Sequence, residues 1–248
     1  MNDMLTWRGE GCIHPARSPF VGSPLVLILL HCPLIVNKHV WLYDMVLSDS
    51  LQLAKLPVKS FSCKPFSYTA MGRELCIAEI EVTKDNSLVI ATTHLESPCP
   101  GPPTWDQMFS KERVNQAKEA IAFLQKYPNV IFCGDMNWDD KIDGQFPFVE
   151  GWFDAWEKLR PSEIGWTYDT KSNKMLTGNR TLQKRLDRFI CHLPDFKISC
   201  IEMIGTDPIR GLTYSKQKKM KNRIQELTLP VLPSDHYGLL LTLSSTFK

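Results

Sequence analysis

Val130-Ile131-Phe132-Cys133-Gly134-Asp135-Met136-Asn137-Trp138 is the stretch that decides the fold. Four apolar residues follow the helix-ending pair Pro128-Asn129 and read as a short buried strand, with a glycine, a carboxylate and an amide at its exit. Upstream, Val114, Ala117, Ile121 and Leu124 fall at helical spacing, with Ser110 expected as N-cap and Glu112 in the first turn. Before that helix, the 98–103 stretch carries four prolines and a glycine and is a loop. The run 75–82 alternates apolar residues with Glu79 and Glu81, as a half-buried strand does, and after an Asp85-Asn86 turn the run 88–94 is its hairpin partner. Strand, helix, strand with polar residues at the strand exit predicts a layered α/β protein with its site along one sheet edge.

The remaining composition narrows the class. A chain of 248 residues, 43% hydrophobic and 23% charged, is an ordinary globular protein with room for one large domain or two small ones. A formal net charge of +2 does not by itself imply nucleic-acid binding. The local run Lys216, Lys218, Lys219, Lys221 and Arg223 reads first as a solvated loop, and alternatively as a phosphate-backbone contact or a nuclear-import address. Eight cysteines show no Cys-x-x-Cys pair and several sit in apolar runs, so reduced core thiols of an intracellular protein are expected.

Residues 24–36 form the one segment that suggests a membrane. The run is shorter than the ~20 residues a spanning helix needs, and His31 and Pro33 interrupt it. It also starts too late for a signal peptide, so a core strand, or a segment foreign to the ancestral domain, is expected. The pattern divides near residue 50: residues 1–50 are a divergent N-terminal segment, and regular organisation begins at 51 and runs to 248.

Three short motifs close apolar runs or open them: Thr93-His94-Leu95-Glu96-Ser97, Gly134-Asp135-Met136-Asn137-Trp138 and Ser234-Asp235-His236-Tyr237-Gly238. An Asp and an Asn two apart at a strand exit point to the same side, so Asp135 is a candidate to orient water and Asn137 to donate to a phosphate oxygen. The competing reading of Gly-Asp-x-Asn is a turn closed by Asx hydrogen bonds. His236 precedes the apolar run 238–244 and becomes a catalytic candidate if a carboxylate holds its other ring nitrogen, with Asp187 as candidate partner. Asp235 is a candidate Mg2+ ligand, and His94, reinforced by Ser97, a candidate phosphate contact. Together the motifs read as a metal-assisted phosphodiesterase site.

In order and spacing, these motifs, with Thr167-Tyr168-Asp169-Thr170 and Arg185-Leu186-Asp187-Arg188-Phe189, resemble the endonuclease/exonuclease/phosphatase superfamily. Within it the chain is most similar to the 5'-tyrosyl-DNA phosphodiesterase type 2 family, in plant-like wording, over roughly residues 51 to 246; Phe153-Asp154-Ala155-Trp156-Glu157 adds to the match. The resemblance implies a DNase I-like four-layer α/β sandwich, two mixed sheets packed face to face and flanked by helices. It implies Mg2+-dependent cleavage, with Mn2+ as a substitute, of the bond between a topoisomerase tyrosine and a DNA 5'-phosphate.

Carried over, Asp135 activates water, Asn137 and His94 hold phosphate oxygens, His236 stabilises the transition state and Asp187 orients His236. Ser97, Trp138, Thr167, Tyr168, Asp169, Arg185 and Arg188 are expected to meet substrate, with Arg185 and Arg188 alternatively in structural pairs, and Asp235 and Asp135 to meet the metal. The implied partners are DNA with a 5'-phosphotyrosyl end and topoisomerase–DNA adducts, with no membrane. A monomer is expected, in the nucleus or alternatively the cytoplasm.

The chain departs from the family upstream. The family's early strands end in an aromatic-Asn pair and in Gln-Glu, whose glutamate is the principal Mg2+ ligand, whereas Glu10 is the only glutamate before Glu74 here. The expectation is a domain truncated at its N-terminus, with early strands missing or replaced. The alternatives to the family activity are a catalytically inactive form with a DNA-binding or regulatory role, and a related phosphodiesterase with another substrate.

Overall fold

The computed structural model describes residues 25–29, 54, 56–83, 86–100, 108–176, 181–220 and 223–246. Along the chain the elements are β1 (Leu25–Leu29), β2 (Val58–Pro65), β3 (Glu74–Thr83), β4 (Asn86–His94), α1 (Ser110–Leu124), β5 (Val130–Asp135), β6 (Phe153–Asp154), α2 (Ala155–Leu159), β7 (Tyr168–Asp169) and β8 (Gln183–Lys184). They continue with β9 (Asp187–His192), β10 (Phe196–Ile204), β11 (Thr213–Met220), β12 (Arg223–Pro230) and β13 (Gly238–Ser245).

Every residue of β5 is buried, because both of its faces are covered. Val130 and Phe132 join α1 residues Ala117, Ile121 and Leu124 in one core, while Ile131 and Cys133 join Leu239, Leu241 and Leu243 of β13 in a second. The period-two alternation of the strand therefore feeds two apolar layers. Burying a side chain such as Phe132 or Phe189 stabilises by about 1.5–3 kcal/mol, so both layers matter to stability.

The strands form a six-stranded mixed sheet in the order β2-β3-β4-β5-β9-β6 and a three-stranded antiparallel sheet in the order β1-β13-β10, with β7-β8 and β11-β12 as separate two-stranded ribbons. Helix α1 covers one face of the large sheet and the small sheet packs on the other, which is the layered α/β sandwich expected. β3 and β4 are the expected hairpin, and β4 and β5 are the parallel pair that α1 connects. β1 lies within the 24–36 run and pairs antiparallel with β13, from Leu25↔Leu243 to Leu29↔Leu239.

Two local expectations need correction. The N-cap of α1 is Phe109, in the left-handed region at φ 55°, with no side-chain cap bond. Ser110 is the first helical residue, and its hydroxyl donates to the Ile142 carbonyl at 3.4 Å instead. Among the described cysteines, Cys63, Cys76, Cys99, Cys133 and Cys191 are in no disulfide, but Cys200 is disulfide-bonded.

Candidate active site

Strand register builds the site. His94 ends β4 opposite Asp135 at the end of β5, and Asp135 lies opposite Asp187 at the start of β9. Neighbouring strands are ~4.8 Å apart, so three functional side chains stand in a row at one edge of the large sheet. His94 Nε2 is 3.4 Å from Asp135 Oδ2. Gly134 permits this approach: a Cβ there would fall 1.8 Å from the Thr93 carbonyl oxygen, and its φ is +140°.

His236 arrives from the other sheet, on the turn that leads into β13. Its Nδ1 lies 2.8 Å from Asp187 Oδ2, and its ring packs edge-on against Tyr168 with centroids 5.2 Å apart. Burial disfavours the imidazolium, yet the hydrogen bond and charge of Asp187, with Asp135 and Asp235, push His236 up to about 9. Burial and the neighbouring charge of Asp187 push the Asp135 carboxyl up to about 7, against the pull of His236, the Asn137 N–H and Arg73. One oxygen of Asp187 is thus committed to His236, while its Oδ1 is buried with no hydrogen-bond partner among the described residues.

Asn137 takes a left-handed conformation at φ 48°, which asparagine tolerates better than most residues. Its backbone N–H donates to Asp135 Oδ1 at 2.8 Å, so the Asx bond of the turn reading is formed. Its side-chain amide donates to the Leu95 carbonyl at 3.0 Å and reaches Ser97 Oγ at 3.4 Å, tying the ends of β4 and β5 together.

Two site residues carried no sequence signal. Arg73, 8% exposed, follows the turn at Gly72 and donates through Nη2 to Ser97 Oγ at 3.0 Å, with His94 Nε2 at 3.5 Å. An arginine after a loop glycine looks like any solvated loop residue, and only the fold turns it inward. Glu96 explains how. Its fully buried carboxylate accepts from Thr69 Oγ1, the Ala70 N–H and Gln116 Nε2, clamping the loop that carries Arg73 onto α1. Asn173 is the second: its amide spans the Ser234 and Asp235 carbonyls, both at 3.3 Å, and holds the turn that presents His236.

Several residues expected at the substrate make contacts within the protein. Trp138 is 2% exposed, donates its indole N–H to the Gly144 carbonyl and packs on Phe146, so its size is spent in the core. Thr167 is fully buried; its hydroxyl accepts from the Leu186 and Asp187 N–H groups and its carbonyl from the Tyr237 N–H. It acts as a clasp between β9 and the His236 turn. Asp169 organises its own turn, accepting from the Lys171 N–H and Gln183 Nε2. Arg185 pairs with Asp154 and Glu157, and Arg188 with Asp154 and Asp140, where Asp154 also caps α2. Both arginines are thus engaged in ion pairs within the protein. Tyr168 and Asp235 remain beside His236, half-buried. Glu10 lies outside the described residues.

The donor chemistry suits a hard cation. One ligand atom each from Asp135, Asp187 and His236 lie within 4.8 Å of one another, and the orphaned Asp187 Oδ1 is an oxygen donor without a partner. Asp235 is not among these three.

No family model matches the chain. Tyrosyl-DNA phosphodiesterase 2 of Mus musculus is 29% identical over 201 residues, covering 78% of this chain and 47% of that protein. The crystal structure of D. rerio TDP2 complexed with single strand DNA product superposes with a TM-score of 0.59 at 26% identity, covering 76% of this chain and 68% of that one. The chain resembles tyrosyl-DNA phosphodiesterase 2. An endonuclease/exonuclease/phosphatase structure from Beutenbergia cavernae, 14% identical with a TM-score of 0.52 over 78% of this chain and 46% of that one, shares the fold. The superfamily fold is thus shared beyond tyrosyl-DNA phosphodiesterase 2 itself. The chain spans about half the length of most of the curated relatives it matches, at 47% of the mouse and Xenopus tropicalis proteins.

Proposed function

We propose that the chain is a divalent-metal-dependent phosphodiesterase that hydrolyses the bond between a tyrosine and a DNA 5'-phosphate, with residues 51–248 as the working domain. The observation that carries this reading is the row His94, Asp135, Asp187 at one sheet edge, closed by His236 from the other sheet. The names of the relatives support the substrate class.

In the proposed reaction a water oxygen attacks phosphorus, the bond from phosphorus to the tyrosine oxygen breaks, and the DNA keeps a 5'-phosphate. Asp135, in the middle of that row, takes the proton of the attacking water. His236, held protonated by Asp187, faces the charge that develops on the phosphoryl oxygens. His94, Ser97, Asn137 and Arg73 supply donors from one side of the site. Asp135 and the free oxygen of Asp187 would hold Mg2+ or Mn2+, with Asp235 contributing through water, and the ion would supply Lewis-acid charge stabilisation. The proposed setting is nuclear, on topoisomerase–DNA adducts, by a monomer.

Release of tyrosine from a 5'-phosphotyrosyl oligonucleotide tests this reading. Turnover by the 248-residue chain that needs Mg2+ or Mn2+ and is lost in His236→Ala supports it. Folded protein that binds the oligonucleotide without turnover, at any metal concentration, replaces the enzyme with a DNA-binding form.

A further inference from the structure

We propose that Cys63 and Cys76 form an oxidisable dithiol, a modification site on the hairpin that carries Arg73, which takes a small-molecule disulfide such as oxidised glutathione as its oxidant. The two residues are direct register partners on β2 and β3, and their sulfurs lie 3.3 Å apart with no disulfide formed between them. Directly opposed residues of an antiparallel pair have Cα atoms ~4.5–5.5 Å apart, inside the range that a disulfide spans, so the bond needs no backbone rearrangement.

Their environments differ in the way a two-step exchange requires. Cys63 is exposed on the sheet's edge strand, whereas Cys76, beside it on the next strand, is fully buried. The Cys63 thiolate attacks one sulfur of oxidised glutathione, forming a mixed disulfide and releasing one glutathione thiolate. The Cys76 thiolate then attacks the Cys63 sulfur, forming the cross-strand bond and releasing the second. Two protein thiols are oxidised and one disulfide is reduced to two thiols. Burial and the nearby Glu74 charge push the Cys63 thiol up, so this first step quickens as pH rises.

The location gives the bond its reach. Between these cysteines the chain runs through the loop that Glu96 clamps and out to Arg73, so the oxidised hairpin would be closed covalently just behind the site arginine. The competing chemistry is a soft-metal site, since Cys63, Glu74 and Cys76 offer ligand atoms within 4.8 Å of one another. Two thiolates on one tetrahedral Zn2+ stand about 3.8 Å apart, so the 3.3 Å approach of these sulfurs favours the disulfide.

The full chain should be equilibrated in glutathione buffers of increasing oxidised fraction, alkylated, digested and mapped by mass spectrometry. The expected product is one peptide pair joined through Cys63 and Cys76, lighter by two hydrogens and restored by dithiothreitol. Cys63→Ser, at an exposed position that tolerates it, should yield no joined pair. Two outcomes overturn the proposal: a glutathione adduct that persists on Cys63 in the unaltered chain, or equimolar Zn2+ shielding both thiols from alkylation under reducing conditions, which assigns a metal site instead. The readout is chemical, so it stands whether or not the chain turns over a phosphodiester.

Discussion

Asp187 Oδ2 and His236 Nδ1 meet at 2.8 Å although 49 residues and a change of sheet separate them. The pair holds a buried imidazolium in place and leaves one carboxylate oxygen over.

Asp187→Asn removes the charge that lifts His236 to about 9. A raised histidine contributes stability that is fully present below its unfolded value of ~6.5 and is lost as pH rises through about 9. In the variant, the His236 ring should titrate at lower pH by NMR, the alkaline limb of any turnover should move down with it, and kcat should fall about 100-fold or more. An unmoved His236 titration would show that Asp187 does not set its charge.

Asp135→Asn is expected to abolish turnover while stabilising the metal-free fold in alkali. A buried carboxyl raised to about 7 contributes stability that is present below its unfolded value of ~3.9 and is lost as pH climbs through 7. At pH 8 without metal the variant should therefore melt above the unaltered chain, and added Mg2+ should raise the melting temperature of the unaltered chain more than that of the variant. Equal Mg2+ shifts in both proteins would remove Asp135 from the metal site.

Glu96→Ala strips three donors of their acceptor: Thr69 Oγ1, the Ala70 N–H and Gln116 Nε2. Of these only Gln116 is fully buried, and an unsatisfied buried donor costs about 1–3 kcal/mol, so urea midpoints should fall. Limited proteolysis should newly cut between Phe66 and Arg73. A loop as resistant as before would mean that it does not depend on the Glu96 clamp.

Arg185→Gln and Arg188→Gln separate structural pairing from phosphate contact. Removing one partner of a buried ion pair costs about 3–5 kcal/mol, shared here because both arginines meet Asp154. Each variant should lose stability in urea while the salt dependence of oligonucleotide binding stays unchanged. A slope reduced by ~0.7 per variant on single-stranded DNA would instead place that arginine on a phosphate.

Alternation in β3, helical spacing in α1 and unbroken apolar runs in β5 and β13 made these elements legible. The tips of the strands were legible too, because polar residues that end an apolar run have few places to go. What sequence spacing does not carry is direction. Trp138 follows Asn137 at the strand exit, yet its indole finds the Gly144 carbonyl and turns into the core. Thr167 satisfies backbone N–H groups of a strand 20 residues away, a demand that exists only once β9 has docked. Arg73 is the converse, an ordinary loop arginine made functional by a buried glutamate.

The site draws His94, Asp135 and Asp187 from one sheet and His236 from the approach to the other. Neither sheet alone contains it, and the second apolar core is what holds the two in alignment. The Asp187–His236 contact therefore exists only in a molecule whose two sheets have docked, and it reports that docking directly.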